Sequence, residues 1–194
     1  AATEEERREV MNSLSLFPVT ARIVCIALYS PEQDHGAVYF QAPQGELQPV
    51  REEKTVFVPC TEQDILIHFW EAAARAKQFV TFNGRGFDCP FILARSAANR
   101  VRPTADLMPN RYSSLHIDLM DQFTFFGAFR RRFSLDMWCD ALGIEQPKRE
   151  VRGSDVAALY AAGEYMRIAR YCLRDAVAAD FPAGSCHLLN LIDG

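Results

Sequence analysis

The stretch Val80-Thr81-Phe82-Asn83-Gly84-Arg85-Gly86-Phe87-Asp88-Cys89-Pro90-Phe91 decides the fold. Residues suited to a strand run straight into Asn83 and two glycines, a cluster that makes turns. Pro90 then suits the first turn of a helix that the pattern carries to about Asn99. A strand that turns sharply into a helix is the unit of an α/β sheet, and ligand sites of such sheets gather where the strands end. Asp88 stands at that place. Two readings of it are open: a ligand-site carboxylate, or a helix cap, since Asp is a favoured cap.

Outward from this unit, the flanking segments build a mixed α/β pattern. Upstream, residues 3–14 read as a short charged helix, and Ile23 to Tyr29 as a buried strand. Ala37 to Phe40 and Thr55 to Val58 read as two further strands, taken as antiparallel neighbours. Thr61 with Asp64 matches a capping box, followed by Ile65, Leu66, Phe69, Trp70 and Ala73 as an apolar stripe at helical spacing. Downstream, Leu115 to Leu119 gives one more strand. Beyond Ser134 the pattern is helical, punctuated by Gly143, Gly153 and Gly163, with a long last helix from about Glu164 to Leu191. Strands first, alternation in the middle and helices last indicate one α/β domain spanning residues 1–194, with a mixed sheet flanked by helices.

The chain has 194 residues, 25 acidic and 21 basic, for a net charge of −4. Bulk positive charge is therefore excluded as the way this protein holds nucleic acid, although a local patch is not. Arg130, Arg131 and Arg132 form the one run of three basic residues, with Lys148, Arg149 and Arg152 downstream. A run of this kind reads either as a solvated face or as a track for phosphates. The six cysteines are scattered without C-x-x-C or zinc-type spacing, so free thiols are expected rather than a disulfide framework or a structural zinc. No apolar run reaches membrane-spanning length and the start is charged, so a cytoplasmic protein is expected, with no membrane partner.

The second informative stretch is Tyr171-Cys172-Leu173-Arg174-Asp175. Residues four apart share a helix face, so the phenol and the carboxylate can meet one ligand or water. Alone the pattern is weak, because Asp175 could equally pair with a neighbouring Arg.

Taken together and in this order, the two stretches resemble the DEDD 3′–5′ exonucleases of the RNase H-like superfamily. Within them they are similar to a group of predicted exonucleases related to the proofreading domain of family B DNA polymerases. Asn83-Gly84-Arg85-Gly86-Phe87-Asp88 with Pro90-Phe91 resembles the second motif of that family, and Tyr171 with Asp175 the tyrosine form of the third. The likeness continues through His116 to Asp121, Phe133 to Asp136, Leu142 to Ile144 and Pro147 to Val156. It implies an RNase H-like mixed sheet and metal-dependent hydrolysis of phosphodiester bonds at the 3′ end of single-stranded DNA or RNA. Two cations, Mg²⁺ or Mn²⁺, would be held by hard carboxylate oxygens. By resemblance Asp88 and Asp175 are metal carboxylates, and Tyr171 orients or deprotonates the attacking water. Asn83, Gly84, Arg85 and Phe87 are placed to meet the terminal nucleotide. Phe87 could stack on a base or be a core side chain. His116 reads as a structural histidine, having no counterpart in the family's catalytic scheme.

One part of the family pattern is missing. Its first motif, Asp-x-Glu on a central first strand, has no match in residues 1–22. Without that strand, backbone groups of its neighbours would lack partners at a cost of several kcal/mol. The chain opens at Ala1 rather than Met, and the expectation is that the natural protein begins upstream and that this sequence is truncated at its N-terminus. The alternative is a catalytically inactive RNase H-like module that binds nucleic acid or a protein.

Overall fold

A computed structural model of the chain describes Thr3, residues 17–144 and residues 151–189. The helix expected over 3–14 and the pair Lys148 and Arg149 lie outside the described residues. Strand β1 (Cys25–Ser30) runs antiparallel to β2 (His35–Gln41), with Cys25 opposite Phe40 and Ser30 opposite His35. Strand β4 (Thr55–Cys60) lies on the far side of β2, and β3 (Val50–Glu52) closes the outer edge, giving the order β1-β2-β4-β3.

One expectation is corrected here. β2 and β4 are neighbours but run parallel, Val38 opposite Phe57, whereas the sequence suggested an antiparallel pair. The reason is β3, which the sequence reading missed. It turns back on β4 through Glu53, whose φ of 49° is left-handed, and so takes the antiparallel position on the side of β4 away from β2.

Strand side chains alternate between faces, and both faces of this sheet are covered. On one, Ile26, Leu28 and Tyr39 pack with Ile65, Leu66, Phe69 and Trp70 of helix α1 (Glu62–Ala73). On the other, Cys25 and Ala27 join Val38, Phe40 and Phe57 against Ala169 of the long terminal helix. α1 starts as the sequence foretold: Thr61 accepts from the Asp64 N–H while Asp64 reaches back to the cap. Each large apolar side chain buried this way contributes about 1.5–3 kcal/mol.

Strand β5 (Phe79–Thr81) leads into helix α2 (Asp88–Ala98), and pairs in parallel with β6 (His116–Asp118), Thr81 opposite Asp118. These two strands form a second sheet, separate from the first. The single sheet expected from the sequence is thus divided, although its mixed character and flanking helices are as expected. Helices α3 (Leu119–Phe123), α4 (Leu135–Ala141) and α5 (Val156–Ala161) follow, the last preceded by a 3-10 turn at Gly153–Asp155. Helix α6 (Tyr165–Leu189) packs on β1 and β2 of the large sheet, on β5 of the small one, and on α3 and α4. It thus contacts both sheets, which also meet where Phe79 of β5 joins the core around α1.

A buried ion pair fastens the remaining corner. Arg95 of α2 donates to both carboxylate oxygens of Glu62 at 2.8 and 2.7 Å, and the Ile23 N–H donates to the same carboxylate at 2.8 Å. Cys25, Cys60, Cys89, Cys139 and Cys172 are free thiols. No helix among the described residues is long and apolar enough to cross a membrane.

Candidate functional site

The turn between β5 and α2 owes its shape to one buried acid. Asp118, at the end of β6, is 3% exposed and accepts the Asn83 N–H on Oδ1 and the Arg85 N–H on Oδ2, both at 2.8 Å. It also caps α3 by accepting the Met120 N–H at 3.0 Å. Four backbone donors in a tight turn need acceptors when they leave solvent, and β6 delivers a carboxylate to two of them. Inside the turn, the Asn83 carbonyl accepts the N–H groups of Gly86 at 3.1 Å and Phe87 at 3.0 Å. Asn83 itself has φ 61°, a left-handed conformation that Asn tolerates better than most residues.

Space rather than backbone angle demands glycine at Gly84, and at Gly86 a side chain would have to displace the Asn83 amide. A Cβ on Gly84 would come within 2.4 Å of the Thr81 hydroxyl oxygen, and one on Gly86 within 2.6 Å of the Asn83 Oδ1. Behind the turn, buried His116 has the Leu107 carbonyl at 2.9 Å from Nδ1 and Thr81 Oγ1 at 2.8 Å from Nε2, with Arg85 Nη1 farther off at 3.4 Å from Nδ1. A carbonyl only accepts, so Nδ1 carries the proton and Nε2 receives the Thr81 hydroxyl. Burial pushes the His116 pKa down, which keeps the ring neutral. The structural reading of this histidine holds.

Asp88 is the first residue of α2, and the cap position before it is Phe87, which makes no side-chain capping bond. Asp88 is therefore not the helix cap. Its surface is open to solvent at the mouth of the turn, but protein crowds the carboxyl on the other sides. This loss of water, with a smaller repulsion from Asp118, pushes its pKa up to about 6. A carboxylate perturbed in a mouth of this kind is a functional-site candidate. Next to it, burial drives the Cys89 thiol up to about 12, so it stays protonated. Phe87 is 40% exposed with its ring 5.7 Å from that of Phe91, which argues against the core reading. Arg85 turns inward instead: its guanidinium donates to the Pro109 carbonyl.

Tyr171 and Asp175 lie on α6, one turn apart and half-buried. The Tyr171 hydroxyl lies over the 3-10 turn, 3.9 Å from where a Cβ on Gly153 would stand. Tyr171 lines a cleft of about 710 Å³ with Val151, Glu164, Arg167, Arg170 and Arg174. Among the described residues Asp88 is not part of that cleft wall. The structure thus brings Asn83, Gly84, Arg85, Phe87 and Asp88 into one turn, and Tyr171 with Asp175 onto one helix that packs against β5.

The chemistry of Asp88 and Asp175 suits a hard divalent cation, since both offer carboxylate oxygens. The number does not. Among the described residues, no three His, Cys, Asp or Glu side chains converge to hold a metal ion. The residue that the sequence reading passed over is Asp118. All that the sequence shows of its role is an acid following His116 and Ile117 on the next strand, because its backbone partners lie 33 and 35 positions earlier.

Comparison with known proteins adds one match. A family model described as a predicted 3′–5′ exonuclease related to the exonuclease domain of PolB matches residues 21–180. No curated protein matches the chain.

Proposed function

Given that the chain belongs to this family of predicted 3′–5′ exonucleases, we propose that it removes nucleotides from the 3′ end of single-stranded DNA or RNA. The observation that supports this most is Asp88, held at the mouth of the β5–α2 turn with its carboxyl perturbed and its neighbours Asn83 and Phe87 beside it. In this reading Asn83, the Gly84 backbone and Phe87 receive the terminal nucleotide, while Arg85, expected from the sequence to join them, is turned inward onto the Pro109 carbonyl. Asp88 and Asp175 are the two carboxylates that would hold Mg²⁺ or Mn²⁺, and such a cation would stabilise charge at the scissile phosphate. Tyr171 positions the attacking water.

The test uses a 5′-labelled single strand with Mn²⁺ present. Stepwise shortening from the 3′ end is expected, Asp175→Asn should abolish it, and Tyr171→Phe should slow it by a factor of ten or more, as expected for loss of a proton-transfer group. Activity unchanged in Asp175→Asn refutes the assignment. A second reading, a non-catalytic nucleic-acid-binding module, is favoured by the absence of a three-ligand cluster among the described residues. It predicts binding of the same strand with no shortening in either Mg²⁺ or Mn²⁺.

A further inference from the structure

Beside the Asn83 turn, the segment Phe125-Phe126-Gly127-Ala128-Phe129-Arg130-Arg131-Arg132-Phe133 carries four aromatic rings and three arginines and no acid. Phe125 is 52% exposed, Phe129 51% and the neighbouring Tyr112 75%. Water-exposed rings in such number ask for a partner. The backbone that presents them is held in an uncommon form. Phe125, Phe126 and Gly127 have φ of 50°, 55° and 96°, three successive left-handed residues. For a bulky residue that conformation is disfavoured, and it persists only where the surroundings impose it. Here they do: the Phe126 N–H donates to the Asp121 carbonyl at 2.6 Å, and the Phe129 N–H to the Thr124 carbonyl at 3.1 Å. Thr124 is in turn buried and tied to the Met120 carbonyl at 2.6 Å.

The rings and cations are interleaved. Phe125 and Phe129 meet edge to face with centroids 5.4 Å apart, Tyr112 lies 4.7 Å from Phe126, and the Arg131 guanidinium sits 5.4 Å from the Phe133 ring. Arg132 joins this surface to the candidate site, its Nη1 donating to Asn83 Oδ1 at 3.4 Å. Exposed π-faces next to arginines that pair with no acid among the described residues match a ligand that alternates flat bases with phosphates, and such stacking works for every base.

We propose that Tyr112, Phe125, Phe129, Arg130 and Arg131 form a platform for single-stranded nucleic acid, which stacks the unpaired bases and leads the strand to the Asn83 turn through Arg132. This rests on the nuclease reading for its orientation, and its binding test does not. Phe125 and Phe129 take the bases, while Arg130 and Arg131 follow the phosphates.

The test is the fluorescence anisotropy of labelled dT12 and rU12 with the whole chain in EDTA, where nothing is hydrolysed. Phe125→Gly with Phe129→Ala should weaken binding at least about fivefold, from the usual worth of one stacked base. Glycine accepts the left-handed backbone at 125, so thermal stability should not fall. Arg130→Ala with Arg131→Ala should lower the slope of log affinity against log salt by roughly 1.4, two single-strand phosphate contacts. Wild-type affinity in both pairs overturns the proposal, and so does a wild-type chain with no affinity for either strand, which would assign the patch to a protein. Variants that lose affinity while the wild type shortens nothing uphold the platform and sink the nuclease reading. Shortening by the wild type with unchanged affinity in the variants does the reverse.

Discussion

Replacing Asp118 by Asn tests whether one buried carboxylate builds the turn that carries Asp88. Its two oxygens serve three N–H donors, Asn83 and Met120 on Oδ1 and Arg85 on Oδ2. Asn keeps one oxygen. If that oxygen stays on the Asn83 and Met120 side, the new amide faces the Arg85 N–H, donor against donor. One charge-assisted bond is then lost, worth about 1.5–3 kcal/mol, and two others weaken to neutral bonds at roughly 0.5 kcal/mol each. The expected cost is about 2.5–4 kcal/mol. Urea unfolding at pH 7 followed by circular dichroism reads it as a lower midpoint at constant slope. The same substitution removes the like charge that helps raise Asp88, so the Asp88 pKa should fall from about 6 in a carboxyl-carbon NMR titration. A stability change under about 0.5 kcal/mol, with the Asp88 titration unmoved, would refute the account of Asp118 as anchor of the turn.

Two further predictions concern charge elsewhere in the fold. Asp88→Asn should raise stability at pH 7 by about 1 kcal/mol, after discount for the solvent that the group faces. Because the folded pKa is the higher one, the contribution of Asp88 to stability is most favourable below the ordinary Asp value near 4 and declines as pH rises through about 6. The gain should therefore vanish in melts at pH 3.5, and an equal gain there would contradict the reasoning. At Glu62, burial alone would raise the pKa, but Arg95 and the Ile23 N–H outweigh it and hold it below the usual glutamate range. Its stabilisation is full above the ordinary glutamate value and is lost as pH falls through the lowered one. Glu62→Gln should cost about 1.5–3 kcal/mol at pH 7 by leaving half-buried Arg95 without its anion, and Glu62→Leu with Arg95→Met should recover most of that. Thermal melts of the three chains decide it: a single variant as stable as wild type would overturn the claim.

What the sequence made legible is what local chemistry determines. Asn83, Gly84, Gly86 and Pro90 announced a strand, turn and helix because each has a steric reason to sit there, and the Thr61 capping box follows from side chains three residues apart. The direction of β2 against β4 was not legible, because it depends on a three-residue strand, Val50-Arg51-Glu52, with no apolar alternation to reveal it. Nor was the division into two sheets, since pairing between distant strands leaves no mark on either one alone.

The site shows the same boundary between local and distant causes. Spacing placed Tyr171 and Asp175 on one helix face, but the Gly153 turn that meets the tyrosine hydroxyl is set by how α6 packs across both sheets. Asp118 is the sharper case. It acts on residues 33 and 35 positions earlier, so no window along the chain contains both donor and acceptor. An acid so buried would be costly without partners, and a turn of inward N–H groups would be costly without an acceptor. Each compensates the other only in the folded chain. The turn and β6 must therefore form together, and a substitution at Asp118 should disturb Asp88 even though neither side chain bonds to the other.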